Sequence, residues 1–552
     1  MEDSDQPSDQ GEALPPKVEA FAIAGDTIQA VGTLEEVFRH AGPKTQVIFL
    51  NQQTLMPGFI EPHQHAISCA RMRGQYINIG AVTYSSYEEI RTVIESKVSE
   101  LAAAPNNTGI GIFFGWDPEL ISDLPQLSAD FLDKFSVTVP VLVWGQNGHV
   151  AWANHAALAA ANINSTTENP PGGKIVKDRH NNPTGQLLEL PATLAVVNLA
   201  PPMDAQAFAR ALTDQWRVYA SAGFTTVTDM LYSPMPGLDE VLRRSTDAHD
   251  FPLRLADGIG NYSSRLWEAG IKMIADGSPH SGTLAVREPY LNTPLTETLG
   301  FPEPPGYGIL NMETQALHDT IRRYHQAGKQ MSIHAHGERA NDQVLKAYEQ
   351  VLAEFPNQDN RHRMEHLGLM TVDQISRAGK LNLALSFFVD HLRFYAKVYS
   401  TDIFGSERVN RWTPLSAATK NGITWTIHQD HPAFPGEPSP FANMKTAVTR
   451  CTRDDPNTPY GPEYRVSIHE ALKAYTVNAA WQLHLDQTVG SIKVGKKADL
   501  VVLSDNPYEV DPFDLERIRV IETFVDGRRN NLAKLKKLRD TDFRVLYRPL
   551  ES

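Results

Sequence analysis

Apolar strand-like runs alternate with helix-like stretches along most of the chain, from about residue 58 to about residue 485. The strand candidates are GIGIFFG, VPVLVWG, FTTVTDML, PLRLADGI, IKMIADG, QMSIHAHG, HRMEHLG, LALSFFV and ITWTIHQ. Such alternation is typical of parallel βα units, because parallel strands need a crossover connection that is usually a helix. The pattern therefore predicts an α/β fold with a (β/α)8 TIM-like barrel over residues 58–485.

Shorter strands and turns flank this region at both ends. VEAFAIAGDTIQAVG, near the start, has a Gly-Asp turn between two apolar runs, and GSIKVGKKADLVVLSDNP near the end returns to short strands. We expect residues 17–57 and 486–552 to pair into one small β-sandwich domain beside the barrel. Residues 1–16 are polar and acidic and predict a disordered tail. Residues 162–189 are rich in turn residues and predict an insertion in the barrel.

The charge and composition of the chain limit the classes of binding partner that we expect. The formal net charge is −14 over 552 residues, which argues against nucleic acid and anionic membranes and favours a small-molecule substrate. The sequence has no run of about 18 apolar residues, so it predicts no membrane span. The polar N-terminus does not resemble a secretory signal. Two cysteines are too few for a disulfide framework. We expect a cytoplasmic protein, with a homodimer as the default assembly.

Two histidines separated by one residue stand in GFIEPHQHAIS. The apolar residues 47–50, a little earlier, predict a short strand. Side chains at positions i and i+2 of a strand point to the same face, so His63 and His65 could bind one metal ion through their ring nitrogens. The alternative is a pair of hydrogen-bonded polar histidines at a strand end.

Similar residues recur at the ends of other predicted strands. The carboxyl ends of barrel strands converge on one face, which is where active sites form. Imidazole and carboxylate together suit zinc and tolerate iron, manganese or nickel. The strand-end residues in question are His334, His336, Glu365, His366, His428, Asp430 and His431.

A lysine within the apolar run IKMIADG is unusual. If Lys272 faces the barrel interior, burial lowers the pKa of its amine. A neutral amine can react with carbon dioxide to give a carbamate, an anionic ligand able to bridge two cations. Alternatively, Lys272 points outward or pairs with Asp276.

Several ordered motifs resemble the metal-dependent amidohydrolase superfamily, from about residue 20 to about residue 528. The resemblance is to its YtcJ-like branch, amidohydrolase family 3, which includes N-substituted formamide deformylases. The motifs are MPGFIEPHQHA, GHVAWANHAAL, PPGGKIV, NPTGQLLE, IKMIADGS, HAHGERA, RMEHLG and GSIKVGKKADLVVL.

The resemblance implies one or two divalent ions, zinc foremost, and a role for each matching residue. Lys272 matches a metal-bridging, carboxylated lysine, and Asp430 matches a ligand that also carries protons. His149 matches a histidine near the substrate. The implied metal ligands are His63, His65, Lys272, His334, His366 and Asp430.

The chain departs from the family pattern at its last barrel strand. His428 and Gln429 stand where the family usually has Gly-Ser before the aspartate, which leaves the leaving-group specificity open.

Other residues are predicted around the site. Glu365 and Arg339 are expected to orient ligands, although Arg339 could equally be a surface helix residue. Trp116 and Trp152 could wall a substrate pocket, and the alternative for each is ordinary core. His280 is expected to be a solvated loop histidine.

These features predict a metal-dependent hydrolase that cleaves a carbon–nitrogen bond, other than a peptide bond, in a small, partly apolar substrate. Metal-activated water would attack, with Asp430 as proton shuttle. One alternative keeps the site and changes the bond to that of an ester, lactone or carbamate. Another, of a different class, is a metal-loaded barrel that binds a ligand without turning it over.

Overall fold

The computed structural model describes residues 17–104, 109–230, 232, 237–248, 251–257, 265–268, 270–301, 306–356 and 359–530. The predicted tail at residues 1–16, and the part of the predicted β domain that follows residue 530, lie outside these ranges. Every helix within them is too short or too polar to cross a lipid bilayer.

Strands and helices alternate through the described residues. The strands are β1 Ala20–Ala24, β2 Thr27–Gly32, β3 Thr54–Pro57, β4 Phe59–Ile60, β5 Ile77–Asn78, β6 Gly111–Trp116, β7 Val141–Gly145, β8 Val150–Ala153, β9 Lys174–Lys177, β10 Pro183–Leu188, β11 Phe224–Thr228, β12 Arg254–Asp257, β13 Leu266–Glu268, β14 Ile271–Ile274, β15 Met331–Ala335, β16 Arg363–His366, β17 Ala384–Phe388, β18 Trp425–His428, β19 Leu500–Leu503, β20 Val520–Val525 and β21 Arg528–Asn530. The α-helices are α1 Leu34–Phe38, α2 Ala66–Gln75, α3 Tyr87–Ala103, α4 Ala129–Leu132, α5 His155–Ala160, α6 Leu190–Val197, α7 Ala205–Ser221, α8 Asp239–Asp247, α9 Pro294–Thr298, α10 Thr314–Gln326, α11 Glu338–Glu354, α12 Val372–Lys380, α13 Asp390–Val398, α14 Ser406–Asn410, α15 Leu415–Lys420, α16 Pro440–Thr449, α17 Ile468–Ala474 and α18 Val477–Gln482. Shorter turns of other helical types are 3₁₀ at Pro279–Ser281, Pro462–Tyr464 and Pro512–Arg517, and π at Tyr399–Ile403.

Two parallel sheets carry the strands at which the candidate site lies. One has the order β13-β12-β11-β4, and the other has the order β14-β15-β16-β17-β18. All neighbours in both sheets are parallel, and only two residues separate β13 from β14. The predicted α/β character is therefore confirmed.

A single buried cluster connects the two parallel sheets with the helices around them. It contains Phe59 of β4 and Leu255 of β12 together with Ile333 of β15. Helix α11 adds Val344 and Tyr348, whose spacing of four residues places them on one face. This shared core fixes the strand ends of both sheets relative to each other.

A third, mixed sheet lies outside the two parallel ones. Its order is β5-β6-β7-β8-β10-β9, and it has its own buried clusters. The runs GIGIFFG and VPVLVWG, expected among the barrel strands, form β6 and β7 of this sheet. The turn-rich residues 162–189 contribute its edge hairpin, β9 and β10. Both faces of β6 and β7 are buried, so their apolar pattern does not distinguish them from strands of the other sheets.

The two chain ends also meet. The antiparallel sheet β21-β20-β19-β3 combines strands from both ends, and Ile28 of β2 shares a buried cluster with Leu500 of β19. The strand predicted at residues 47–50 is wrong. These residues have no regular secondary structure and no described partner strand, and Phe49 is 76% exposed. The strand begins instead at Thr54, where β19 pairs with it.

A buried ion pair joins this antiparallel sheet to the parallel one, and it yields a first prediction. Arg254 of β12 places Nε 2.6 Å and Nη2 3.1 Å from the two carboxylate oxygens of Asp499, and also contacts Asp526. Arg254→Leu leaves the buried carboxylate of Asp499 without the cation that pairs with it, so we expect a loss of about 3–5 kcal/mol of stability. Urea unfolding measures it. Arg91→Leu removes an exposed pair on α3 and serves as the control; equal losses in both variants would contradict the assignment.

The histidine before β16 gives a prediction on pH. The backbone N–H of Met331 donates to Nδ1 of His362 at 3.1 Å, and burial, helped by the charge of His325, lowers the His362 pKa to about 3. Below a pH of about 6.5 the unfolded chain binds a proton at His362 that the folded chain refuses down to about pH 3. The free energy of unfolding therefore decreases as the pH is lowered through this range, by up to about 1.4 kcal/mol per pH unit. In His362→Gln the fall should be shallower, as unfolding curves across this range would show. Parallel profiles for the two proteins would rule out the linkage.

Candidate metal centre

The candidate metal centre lies where the carboxyl ends of the parallel strands meet. His334 of β15 is opposite Glu365 of β16 in the register of the sheet, and His428 ends β18. His63 follows β4 after two residues, and His65 after four. Side chains that are far apart in sequence therefore reach one edge.

The carboxylate of Asp430 is the shared contact of this centre. Its Oδ1 lies 3.3 Å from Nε2 of His63 and 3.1 Å from Nε2 of His65. Its Oδ2 lies 3.9 Å from Nδ1 of His366. The amine of Lys272 is 2.9 Å from Nε2 of His63. Three predicted ligands thus lie against the carboxylate of Asp430, and Lys272 lies against one of them.

The sixth predicted ligand, His334, stacks beside the others. Its ring centre is 4.3 Å from that of His366. Its Nε2 lies 3.0 Å from the carbonyl oxygen of Gly277. A carbonyl can only accept, so Nε2 carries the proton and Nδ1 keeps a lone pair available to a metal. The structure brings together all six predicted ligands, His63, His65, Lys272, His334, His366 and Asp430.

A carboxylate behind His63 fixes its ring. Oε2 of Glu365 lies 2.6 Å from Nδ1 of His63, and Arg363 holds the other oxygen of Glu365 with Nε at 2.6 Å. The carboxylate accepts the Nδ1 proton, which leaves Nε2 of His63 unprotonated. Glu365 therefore lies in hydrogen-bond contact with a predicted ligand, and its orienting role stays a prediction.

Burial sets the protonation of the cluster. It lowers the pKa of His63, His334 and His366 well below the usual range, and neighbouring cationic groups reinforce this, so the imidazoles are neutral. Burial also lowers the pKa of Lys272 to about 8. Burial alone would raise the pKa of Asp430, but the hydrogen bond and charge of His65 outweigh it and keep that pKa below its usual value.

The donor set fits a metal ion. Nδ1 of His366 and both ring nitrogens of His428 are buried without a hydrogen-bond partner, an arrangement that costs free energy unless something binds them. Two buried triads of described residues have donor atoms within 4.8 Å of one another: His63 with His366 and Asp430, and His63 with Glu365 and His428. Neutral imidazoles with carboxylates match zinc and similar divalent ions.

His149, predicted near the substrate, lies beside the cluster. Its Nδ1 is 2.7 Å from Oε2 of Glu189, and its ring centre is 5.8 Å from that of His334. Burial by itself would lower the pKa of His149, but the charge of Glu189 outweighs it and raises that pKa. His149 can therefore present a proton beside the ligands.

The two tryptophans are buried core residues. Trp116 and Trp152 belong to a cluster under the mixed sheet, and both line a cavity of about 10 Å³ together with Asp117 and Glu119. That volume suits about one water molecule. Contact of either tryptophan with a substrate stays a prediction.

Arg339 is not part of the centre. It is an exposed residue of α11, and its Nη1 donates to the carbonyl of Tyr307 at 3.2 Å. The preceding residue, Glu338, takes the buried position and pairs with Arg411 at 2.9 Å. The surface alternative considered for Arg339 is the one that the structure shows, because a one-residue step along a helix turns the side chain by about 100°.

Sequence reasoning also missed polar residues around the centre. His280, expected in a solvated loop, is buried and hydrogen-bonded to Glu119. His391 lies three residues after β17, where the strand-end argument could have found it. Asp276 accepts three backbone N–H groups and joins the loops after β14 and β15, and burial raises its pKa to about 7.

Comparison with known proteins agrees with this geometry. The family model described as Amidohydrolase family matches residues 46–529. The chain is similar to the YtcJ amidohydrolase of Bacillus subtilis (strain 168), with 26% identity over 533 residues covering 93% of this chain and 95% of that one. It is also similar to the N-substituted formamide deformylase of Arthrobacter pascens, with 27% identity over 523 residues covering 92% and 94%.

A solved structure shares the fold. It is an uncharacterized metal-dependent hydrolase from Pyrococcus horikoshii OT3, with a TM-score of 0.65 and 20% sequence identity over 89% of this chain and 94% of that chain. At this identity the likeness supports the architecture alone.

The Glu365 contact generates a prediction about metal affinity. Glu365→Gln weakens the bond that orients His63, and loss of such an outer partner typically costs about 10–100-fold in metal affinity. Chelator competition with zinc measures the change. Glu338→Gln alters another buried carboxylate that pairs with an arginine, away from the ligands, and should keep the wild-type affinity. A Glu365→Gln protein that binds zinc as tightly as the wild type would refute the orienting role.

Proposed function

Because the chain belongs to the amidohydrolase family, we propose that it is a metal-dependent hydrolase of a small, partly apolar substrate. The bond cleaved is a carbon–nitrogen bond other than a peptide bond. The observation that carries the proposal is the convergence of His63, His65 and His366 on the carboxylate of Asp430, with Lys272 beside them.

The donor atoms of the cluster indicate which kind of metal ion it would bind. A divalent cation bound there, zinc by the chemistry of the donors, would lower the pKa of a water molecule and polarise a substrate carbonyl. His63 offers Nε2 and His334 offers Nδ1, as their hydrogen bonds require. We propose that Lys272 becomes a carbamate by adding carbon dioxide with release of a proton, since its lowered pKa favours the neutral amine. A carbamate at Lys272 would be an anionic ligand able to bridge two metal ions.

Two side chains move or present protons in this proposal. Asp430 accepts the proton of the attacking water and returns it to the leaving nitrogen, which departs poorly unless protonated. His149, held by Glu189, donates toward the oxygen on which negative charge develops. Both side chains are next to the ligands, and neither needs a large movement.

The architecture is part of the proposal. We infer that the two parallel sheets close into a (β/α)8 barrel over residues 58–485, supported by the buried core that they share. Residues 17–57 and 486–552 would form the flanking β-sandwich, supported by the cluster that joins β2 to β19. The cytoplasmic location and the homodimer stay predictions.

The name of the Arthrobacter pascens relative suggests the substrate to try first. That protein is described as acting on N-substituted formamides. The matched pair for an assay is therefore an N-aryl formamide and the corresponding aryl formate ester, which differ in the leaving atom.

The experiment combines metal analysis with turnover. We expect one or two metal ions per chain, loss of formamide hydrolysis after chelation, and recovery with zinc. Full turnover by metal-free protein would end the proposal. Cleavage of the ester alone would favour the ester, lactone or carbamate alternative, and metal without turnover of either substrate would favour the binding protein.

The proton shuttle is tested by substitution. Asp430→Asn keeps the side-chain shape but removes the base, so turnover should fall by about 10²–10⁴-fold with most of the metal retained. Asp342→Asn, a carboxylate of α11 paired with Arg287 and Arg377, is the matched control and should keep wild-type turnover. An Asp430→Asn protein with unchanged turnover would remove Asp430 from the mechanism.

A further inference from the structure

Four buried side chains form a continuous hydrogen-bonded chain that the proposed mechanism does not use. Both carboxylate oxygens of Glu119 lie 2.9 and 3.0 Å from Nδ1 of His280. Nε2 of His280 lies 2.9 Å from the hydroxyl of Tyr399. That hydroxyl lies 2.7 Å from Nδ1 of His391. We call Glu119, His280, Tyr399 and His391 the relay.

The relay has a definite direction. The carboxylate of Glu119 only accepts, so Nδ1 of His280 carries a proton, and in the neutral imidazole Nε2 then accepts from the hydroxyl of Tyr399. The tyrosine oxygen, having donated its only proton, accepts from Nδ1–H of His391. The remaining nitrogen, Nε2 of His391, is therefore unprotonated. It is also buried without a hydrogen-bond partner.

A second buried acid, Asp117, lies beside Glu119. Asp117 accepts from the hydroxyl of Tyr395 at 2.6 Å and lies two residues from Glu119. Burial, together with the charge of Glu119, raises the pKa of Asp117 to about 7. Burial also raises the pKa of Tyr399 well above its usual value, so its hydroxyl keeps the proton that it donates.

The open nitrogen belongs to a ring beside the metal ligands. His391 packs 4.9 Å from the ring of His336 and 4.8 Å from that of Phe388. His336 in turn lies 4.9 Å from His366, and Phe388 lies 4.9 Å from His428. One ring therefore separates the end of the relay from the cluster.

An irregular helical turn lies at the hydrogen bond between His391 and Tyr399. His391 is in α13, and Tyr399 begins the π turn Tyr399–Ile403 that continues it. π turns are rare and often occur at functional sites, because they shift side chains out of the regular helical positions. Here the turn accompanies a direct bond between residues eight positions apart.

We propose that Nε2 of His391 accepts a hydrogen bond from the N–H of the substrate, so that the enzyme selects amides whose nitrogen carries a hydrogen over N,N-disubstituted amides. This inference rests on the proposed function. A buried acceptor without a donor is costly, and a site built around such an acceptor rejects a ligand that lacks the matching donor. His391 is a specificity-determining residue, and Tyr399 and His280 are positioning residues that fix its tautomer.

The test compares an N-aryl formamide with its N-methyl analogue on the metal-loaded full chain. The discrimination ratio is the quotient of the two kcat/KM values. We expect this ratio to fall by about tenfold or more in His391→Phe, which keeps a ring but loses both nitrogens. His391→Gln, whose amide oxygen can reach the place of Nε2, should restore part of it. Metal content should equal that of the wild type in both variants.

Two tyrosines of the same segment provide the matched control. Tyr399→Phe breaks the relay and should lower the discrimination ratio. Tyr395→Phe removes a hydroxyl that bonds Asp117 outside the relay and should keep the ratio. An equal effect of both variants would show a packing role and overturn the inference.

A measurement that does not depend on turnover separates the inference on His391 from the proposed function. In ¹⁵N spectra of the imidazoles, His391 should show an unprotonated Nε2, and this resonance should change in Tyr399→Phe. A protonated Nε2 in the wild type overturns the inference whatever the substrate. If metal-loaded wild type cleaves neither formamide, the proposed function fails and takes the inference with it. If it cleaves both, and His391→Phe keeps the wild-type ratio, only the inference fails.

Discussion

The carboxylate of Asp430 is the contact on which the rest of the centre depends. It follows the last strand of one parallel sheet and touches imidazoles that follow the first strand of the other. Two groups that are more than 360 positions apart in sequence can meet only if both sheets bring their carboxyl ends to one place. The shared core behind them, with Phe59 and Ile333 in one cluster, is what holds that alignment.

Burial is the second constraint, because it favours the neutral form of a titratable group. It lowers the pKa of His63 and His366, and a neutral imidazole is the form that binds a metal. The same burial lowers the pKa of Lys272. Asp430 is the exception, because the hydrogen bond and charge of His65 outweigh burial and keep its pKa below the usual value. The low polarity of the interior thus selects the protonation states that the chemistry needs.

The sequence was enough to predict which side chains come together at the centre and not enough to predict what surrounds them. His63 and His65 were visible because a spacing of two places side chains on one face of a strand, and strand-end residues such as His366 followed from parallel topology. By contrast, β6 and β7 read as barrel strands because a strand buried on both faces has the same pattern in any sheet. Val47, Ile48 and Phe49 are apolar yet exposed, and no described strand lies beside them. His280 needed tertiary contacts, since Glu119 and Tyr399 come from elsewhere in the chain.

Hydrogen-bond partners outside the centre set the tautomer of each histidine, and the tautomer determines which nitrogen keeps its lone pair. Glu365 holds the proton of His63 on Nδ1, and the Gly277 carbonyl holds that of His334 on Nε2, so each ring turns a lone pair inward. The relay does the same for His391 from the opposite end, through Tyr399. A neutral lone pair takes either a metal ion or a hydrogen-bond donor as its partner. In the proposed function, the lone pairs of His63 and His334 would hold the cation, and that of His391 would meet the N–H of the substrate.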